Sequence, residues 1–133
     1  MTMTQSDNFA RIADLEPRRS ALEEIRHHLH ANPELSFEEE KTAAYVAEKL
    51  EGWGYDVTRN VGGHGVVGRL TVGTGGRSVA IRADMDALPI LEKTGLPYAS
   101  TVAGKMHACG HDGHTTMLLG AAEHLARTKN FNG

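Results

Sequence analysis

Glycine is spread unevenly along this chain, and that constrains its fold more than any other single feature. Fifteen glycines are present, and most fall between residues 52 and 120. Glycine weakens helix interiors and serves tight turns and left-handed backbone. The first half is therefore expected to be helical, and the second half to be strands and tight loops. A chain of 133 residues is long enough for one hydrophobic core. With 40% hydrophobic and 23% charged residues, it has the make-up of an ordinary globular protein. The formal net charge of -3 offers no broad basic field for nucleic acid and no polybasic patch for a membrane surface. The apolar runs are too short to span a bilayer, and Met1–Asp7 has no hydrophobic core of the kind a secretory signal needs. One cysteine cannot close an intrachain disulfide, so a reducing, cytoplasmic setting is expected.

Residues 1–9 are expected to be a disordered lead-in, and 10–133 a single unit. Leu22, Ile25 and Leu29 recur at helical spacing and predict a helix from about Pro17 to Ala31. Asn32-Pro33 should stop it, since the residue before proline avoids the helical region. Ser36 with Glu39 three residues on has the capping-box pattern, so a second helix is expected to open there. Ala43, Val46, Ala47 and Leu50 would be its buried stripe, with Gly52 and Gly54 ending it. Strands are predicted at 55–58, 65–72 and 78–83. The last two should form a hairpin through the turn at 73–76. Residues 87–106 read as a long loop, of a length that is uncommon unless functional. A third helix is predicted from about Gly113 to Thr128, with Met117, Leu118, Ala121, Ala122 and Leu125 facing inward.

The chemistry-bearing residues cluster between Met106 and Thr115. Cys109, His107, His111, Asp112 and His114 lie there beside Gly110 and Gly113. Thiolate and imidazole are good ligands for zinc and related divalent ions. Cys109-x-His111 is the sharpest pair, and His107 and His114 are near enough to join it. The alternatives are a small buried hydrophobe at Cys109 and helix capping by Asp112 or Thr115. Asp84-x-Asp86 follows an apolar strand, where open α/β sheets collect ligands. It reads equally as a loop cap, with Arg82 the only basic partner nearby. His27, His28 and His30 suit the C-terminus of the first helix, where cations and hydrogen-bond donors are favoured. No Walker-type phosphate loop and no serine nucleophile elbow is present.

Three motifs, in order, carry a resemblance: Arg26–Glu39, Ala80–Ile90 and Gly104–Thr115. Together they resemble the N-terminal part of metal-dependent amidohydrolases of the hippurate hydrolase and N-acyl-amino-acid (indoleacetyl-amino-acid) hydrolase type. That group is related to aminoacylase and the dinuclear-zinc carboxypeptidases. The resemblance implies an α/β fold, part of a three-layer α/β/α catalytic domain of the zinc-peptidase type, cut after the third helix. It implies Cys109 and His111 as metal ligands and Asp86 as a carboxylate supporting the metal centre. Asp84 stands where the carboxypeptidase branch has a histidine ligand, and His107 and His114 are expected to orient ligands or line the site. One or two divalent ions, Mn²⁺, Zn²⁺ or Ni²⁺, are implied, and the reaction is metal-assisted amide hydrolysis with a glutamate as general base.

In full-length relatives that glutamate, the later histidine ligands and a dimerisation domain lie beyond the region matched here. Glu123 is the only acidic residue after Asp112. The chain alone is therefore expected to be inactive, and a homodimer is expected only of a full-length parent. The competing reading is a non-catalytic metal-binding module, closed by His107, Cys109, His111 and His114 as four structural ligands. A third is a partly folded piece whose sheet lacks neighbouring strands.

Overall fold

The computed structural model describes residues 11–133. The expected lead-in at 1–9 lies outside the described residues. A short helix α1 (Ile12–Leu15) and a 3-10 turn (Glu16–Arg18) lead into α2 (Arg19–Ala31). Helix α3 (Glu40–Gly52), strands β1 (Asp56–Val61) and β2 (Gly65–Arg69), and helix α4 (His111–Thr128) follow. The first half is largely helical, as the glycine distribution predicts, whereas the second half holds β2, long irregular stretches and the longest helix rather than strands and tight loops alone.

Helix α2 ends where Asn32-Pro33 requires. The Asn32 side-chain amide donates to the His28 carbonyl at 2.8 Å, and Pro33 is fully buried. Helix α3 starts later than its capping-box pattern predicts, and neither Ser36 nor Glu39 caps it. Glu39 is the N-cap residue but makes no side-chain cap bond. The cap comes instead from Glu34. Its carboxylate accepts from the Lys41 backbone N–H at 3.0 Å, the Thr42 N–H at 2.6 Å and the Thr42 hydroxyl at 2.6 Å. The chain reverses between Glu34 and Glu40 through Phe37, a left-handed residue (φ 66°) that stands exposed. That reversal brings Glu34 over the free N–H groups of the helix.

One core joins the three long helices. Ile25 and Leu29 of α2 meet Val46 and Leu50 of α3 and Leu119 and Ala122 of α4. Full burial of a side chain such as Leu119 contributes about 1.5–3 kcal/mol. Helices α2 and α4 approach closely because Gly120 carries no side chain. A Cβ there would come within 3.0 Å of Leu22 Cδ2.

The strands pair differently from the sequence expectation. β1 pairs antiparallel with β2, matching Asp56 with Arg69 and Thr58 with Val67, and an irregularity lies between Thr58 and Val61. Gly62 and Gly63 take positive φ (62° and 113°) and close this hairpin in the shorter loop. Val57 and Val66 of the hairpin then pack on the core. Residues 78–83 are not in a strand, and Val79 and Ile81 are 90% and 59% exposed. The glycine turn at 73–76 meets the chain's last residues instead. Val72 and Gly133 exchange two backbone hydrogen bonds (2.9 and 2.8 Å), and the Asn132 side chain accepts from the Thr74 and Gly75 N–H groups.

Residues 87–106 form a long irregular segment, as expected. It is tied down by a parallel bridge of Leu35 to Ala87 and an antiparallel bridge of Leu88 to Met106. Helix α4 begins two residues earlier than predicted and turns a different face inward. Asp112, Thr115, Thr116, Leu119, Gly120 and Ala122 are buried, whereas Met117 is 65% and Leu125 37% exposed. Met117, Leu118 and Ala121, expected inside, line an open groove with Ile81, Arg82, Ala83 and His114. No helix among the described residues is long and apolar enough to cross a membrane.

Candidate metal centre

Gly110 takes the left-handed conformation (φ 87°) as the N-cap of α4, and this turns the chain from Cys109 straight into the helix. Cys109 is exposed with a free thiol. His111 lies in the first helical turn. Its Nδ1 is 2.9 Å from both Asp86 Oδ1 and the Asp86 carbonyl oxygen. Both are acceptors, so Nδ1 carries the hydrogen and Nε2 presents a lone pair. A carboxylate that holds the far nitrogen of a ligating imidazole is the usual supporting arrangement of a histidine metal site. The chemistry of the donor set thus fits a divalent ion at Cys109 and His111, with Asp86 behind His111.

Asp84 lies close by. One oxygen pairs with Arg82, and the other is 3.9 Å from His111 Nε2. The Asp84 carbonyl accepts the Thr115 hydroxyl at 3.0 Å. Residues 84–86 are therefore stitched to the first turn and a half of α4, although no strand delivers them.

The other two histidines of the motif diverge. His107 is buried, and neither of its ring nitrogens has a hydrogen-bond partner among the described residues. Burial pushes its pKa down, against the pull of Asp112, so the neutral ring is favoured. His114 stands on the outer face of α4, its ring centroid 5.4 Å from that of His111. Among the described residues no three His, Cys, Asp or Glu side chains gather as a metal site. The closed four-ligand arrangement of His107, Cys109, His111 and His114 is thus not assembled, because His107 turns inward while His114 faces out.

Asp112 does not act as the helix cap weighed from sequence. Its buried carboxylate lies 2.8 Å from His30 Nδ1 and accepts from Arg26 Nη1 at 3.3 Å. His30 Nε2 is 3.1 Å from Glu92 Oε1. Glu92 is held down to about 2, first by the Thr94 hydroxyl, then by the Ser100 N–H, with His30 adding to them against burial. Sequence reasoning placed His30 at a helix end and left Glu92 in a loop. The spacing of Arg26 and His30, one turn apart on α2, was the one signal that pointed to a shared partner. His28 stacks on Tyr45 and His27 on Tyr98. Both serve packing.

A model of peptidase family M20/M25/M40 matches residues 80–133. Hippurate hydrolase of Campylobacter jejuni is 56% identical over 111 residues, 84% of this chain and 29% of that protein. A solved structure from methicillin-resistant Staphylococcus aureus superposes with a TM-score of 0.87 at 49% identity, covering 92% of this chain and 33% of its own. The YXEP protein of Bacillus subtilis, described as a dinuclear metal binding peptidase of the M20 family, superposes at 0.79 with 41% identity, covering 84% and 32%. The chain belongs to peptidase family M20/M25/M40. Its mixed α/β fold is the one those structures share. It spans about a third or less of the length of these relatives.

Proposed function

We propose that this chain forms part of the metal centre of an amidohydrolase acting on N-acyl amino acids of the hippurate type. The observation that carries this reading is the Asp86–His111 contact, which holds His111 Nδ1 and turns Nε2 toward Asp84, two residues along the chain from the exposed thiol of Cys109. A divalent ion bound there, Mn²⁺, Zn²⁺ or Ni²⁺, would polarise the scissile carbonyl and acidify a water. Asp86 fixes the tautomer and ring plane of His111, and the left-handed Gly110 joins Cys109 to the helix that carries His111. The likeness to hippurate hydrolase supports the substrate class. A reducing, cytoplasmic setting goes with this reading, since it keeps Cys109 available as a ligand.

Among the described residues, we assign none as the general base. Glu123, the only acidic residue after Asp112, is held in an ion pair with Arg18 at 2.6 Å. This polypeptide by itself is therefore expected to show no turnover. The test is an assay on N-benzoyl- and N-acetyl-amino acids with added Mn²⁺. Hydrolysis that vanishes on Cys109→Ala would show that these residues suffice, and would refute the expectation.

A further inference from the structure

A largely buried polar cluster lies next to the candidate metal turn, joined to it through Asp112. His30 bridges two carboxylates, with Nδ1 2.8 Å from Asp112 and Nε2 3.1 Å from Glu92, and both acid side chains are only 3% exposed. Each ring nitrogen faces a carboxylate oxygen. The Arg26 guanidinium adds a cation, reaching Asp112 at 3.3 Å and the Tyr98 hydroxyl at 3.1 Å. Two carboxylates, an imidazole and the partly exposed Arg26 guanidinium thus share one site. Such a cluster is a poor source of net stability, because desolvation offsets much of the attraction, but its geometry is strict.

Three separate segments meet in it. His30 is the last but one residue of α2, Glu92 belongs to the long irregular segment, and Asp112 is the second residue of α4. Glu92 also accepts the Ser100 N–H at 2.6 Å and the Thr94 hydroxyl, so residues 92–100 are folded around it. Asp112 directly follows His111 and lies three residues after Cys109. The first turn of α4 is therefore gripped from two sides, by Asp86 on His111 and by His30 on Asp112. Between the two grips sits the ring of His107, 6.4 Å from that of His30.

We propose that His30 is a positioning residue of the metal centre: by bridging Glu92 and Asp112 it sets the first turn of α4 so that Cys109 and His111 can meet one ion. The inference rests on the metal reading above.

Co²⁺ alone, titrated into the chain, tests both and keeps them apart. Thiolate-to-cobalt charge-transfer absorption that is lost in Cys109→Ala identifies the site. If the unsubstituted chain shows no such absorption, the metal reading falls, and this inference with it. Where the absorption is present, His30→Gln is expected to weaken Co²⁺ binding about tenfold or more and to shift the d–d envelope. Arg18→Gln removes the tie to Glu123 on a later turn of α4 and should change neither quantity. Unchanged affinity and spectrum in folded His30→Gln, or an equal loss in Arg18→Gln, overturns the proposal. Should His30→Gln fail to fold, the near-isosteric Asp112→Asn is read the same way, and wild-type binding and absorption there overturn it too.

Discussion

The two faces of α4 differ sharply in burial. The inner face carries Leu119, 1% exposed, together with Ala122, Thr115, Thr116 and the Asp112 carboxylate. The outer face carries Met117, 65% exposed, with Leu118 and Ala121, and it looks onto Ile81 and Ala83 across an open groove. Both faces carry apolar residues, yet only one is packed. The contrast shows where stability lies. It is concentrated between α2, α3 and α4, and the apolar stretch 78–83 adds little to it. It also shows why the metal turn is well placed, since the turn sits at the end of the one face of α4 that is anchored.

Leu119→Ala should break that comparison most severely. Removing a fully buried leucine costs about 2–5 kcal/mol, enough to abolish a cooperative melt in a small domain. Circular dichroism melting measures this. A loss under about 1 kcal/mol would mean that the inner face is no better packed than the outer one.

Acid should act next, and again from the inner side. The folded carboxyl of Glu92 lies at about 2, below its ordinary 4.5, so its contribution is complete above pH 4.5 and is lost as pH falls through about 2. Glu34 titrates in the same direction. Burial alone would raise it, but the hydrogen bonds from Thr42 and Lys41 outweigh burial and hold it below 4.5. Urea midpoints should therefore fall steadily across this window. Glu92→Gln should flatten the fall, and an equally steep fall in that variant would remove Glu92 from the account.

The smallest effect is expected on the outer face. Met117→Ser leaves a side chain that already meets solvent, so stability should change by no more than about 0.5 kcal/mol. A loss of several times that in urea unfolding would show that the outer face is packed after all.

Much of this was legible in the sequence because it depends on near neighbours. The α2 stripe of Ile25 and Leu29, the stop at Asn32-Pro33 and the α3 stripe ending at Leu50 and Gly52 are set by residues within one or two turns of each other. The grouping of Cys109, Gly110 and His111, with the two-residue step from Asp84 to Asp86, was equally visible. Strand pairing was not, because Gly62-Gly63 and Gly73–Gly76 are both good turns. The choice fell to the hairpin that could lay Val57 and Val66 on the helices. The cap of α3 was missed for a related reason, since the local candidates Ser36 and Glu39 lost to Glu34 once the chain had reversed at Phe37.

Sequence alone determined the helices, their ends and the residue types of the metal loop, because periodicity, proline and glycine act over a few bonds. Only the tertiary structure decided that β1 pairs with β2, that His111 rests on Asp86, and that His30 is buried between Glu92 and Asp112. Those contacts join residues 25 to 82 positions apart, or choose among competing turns, and their free energy exists only when the chain has brought the partners together and excluded water.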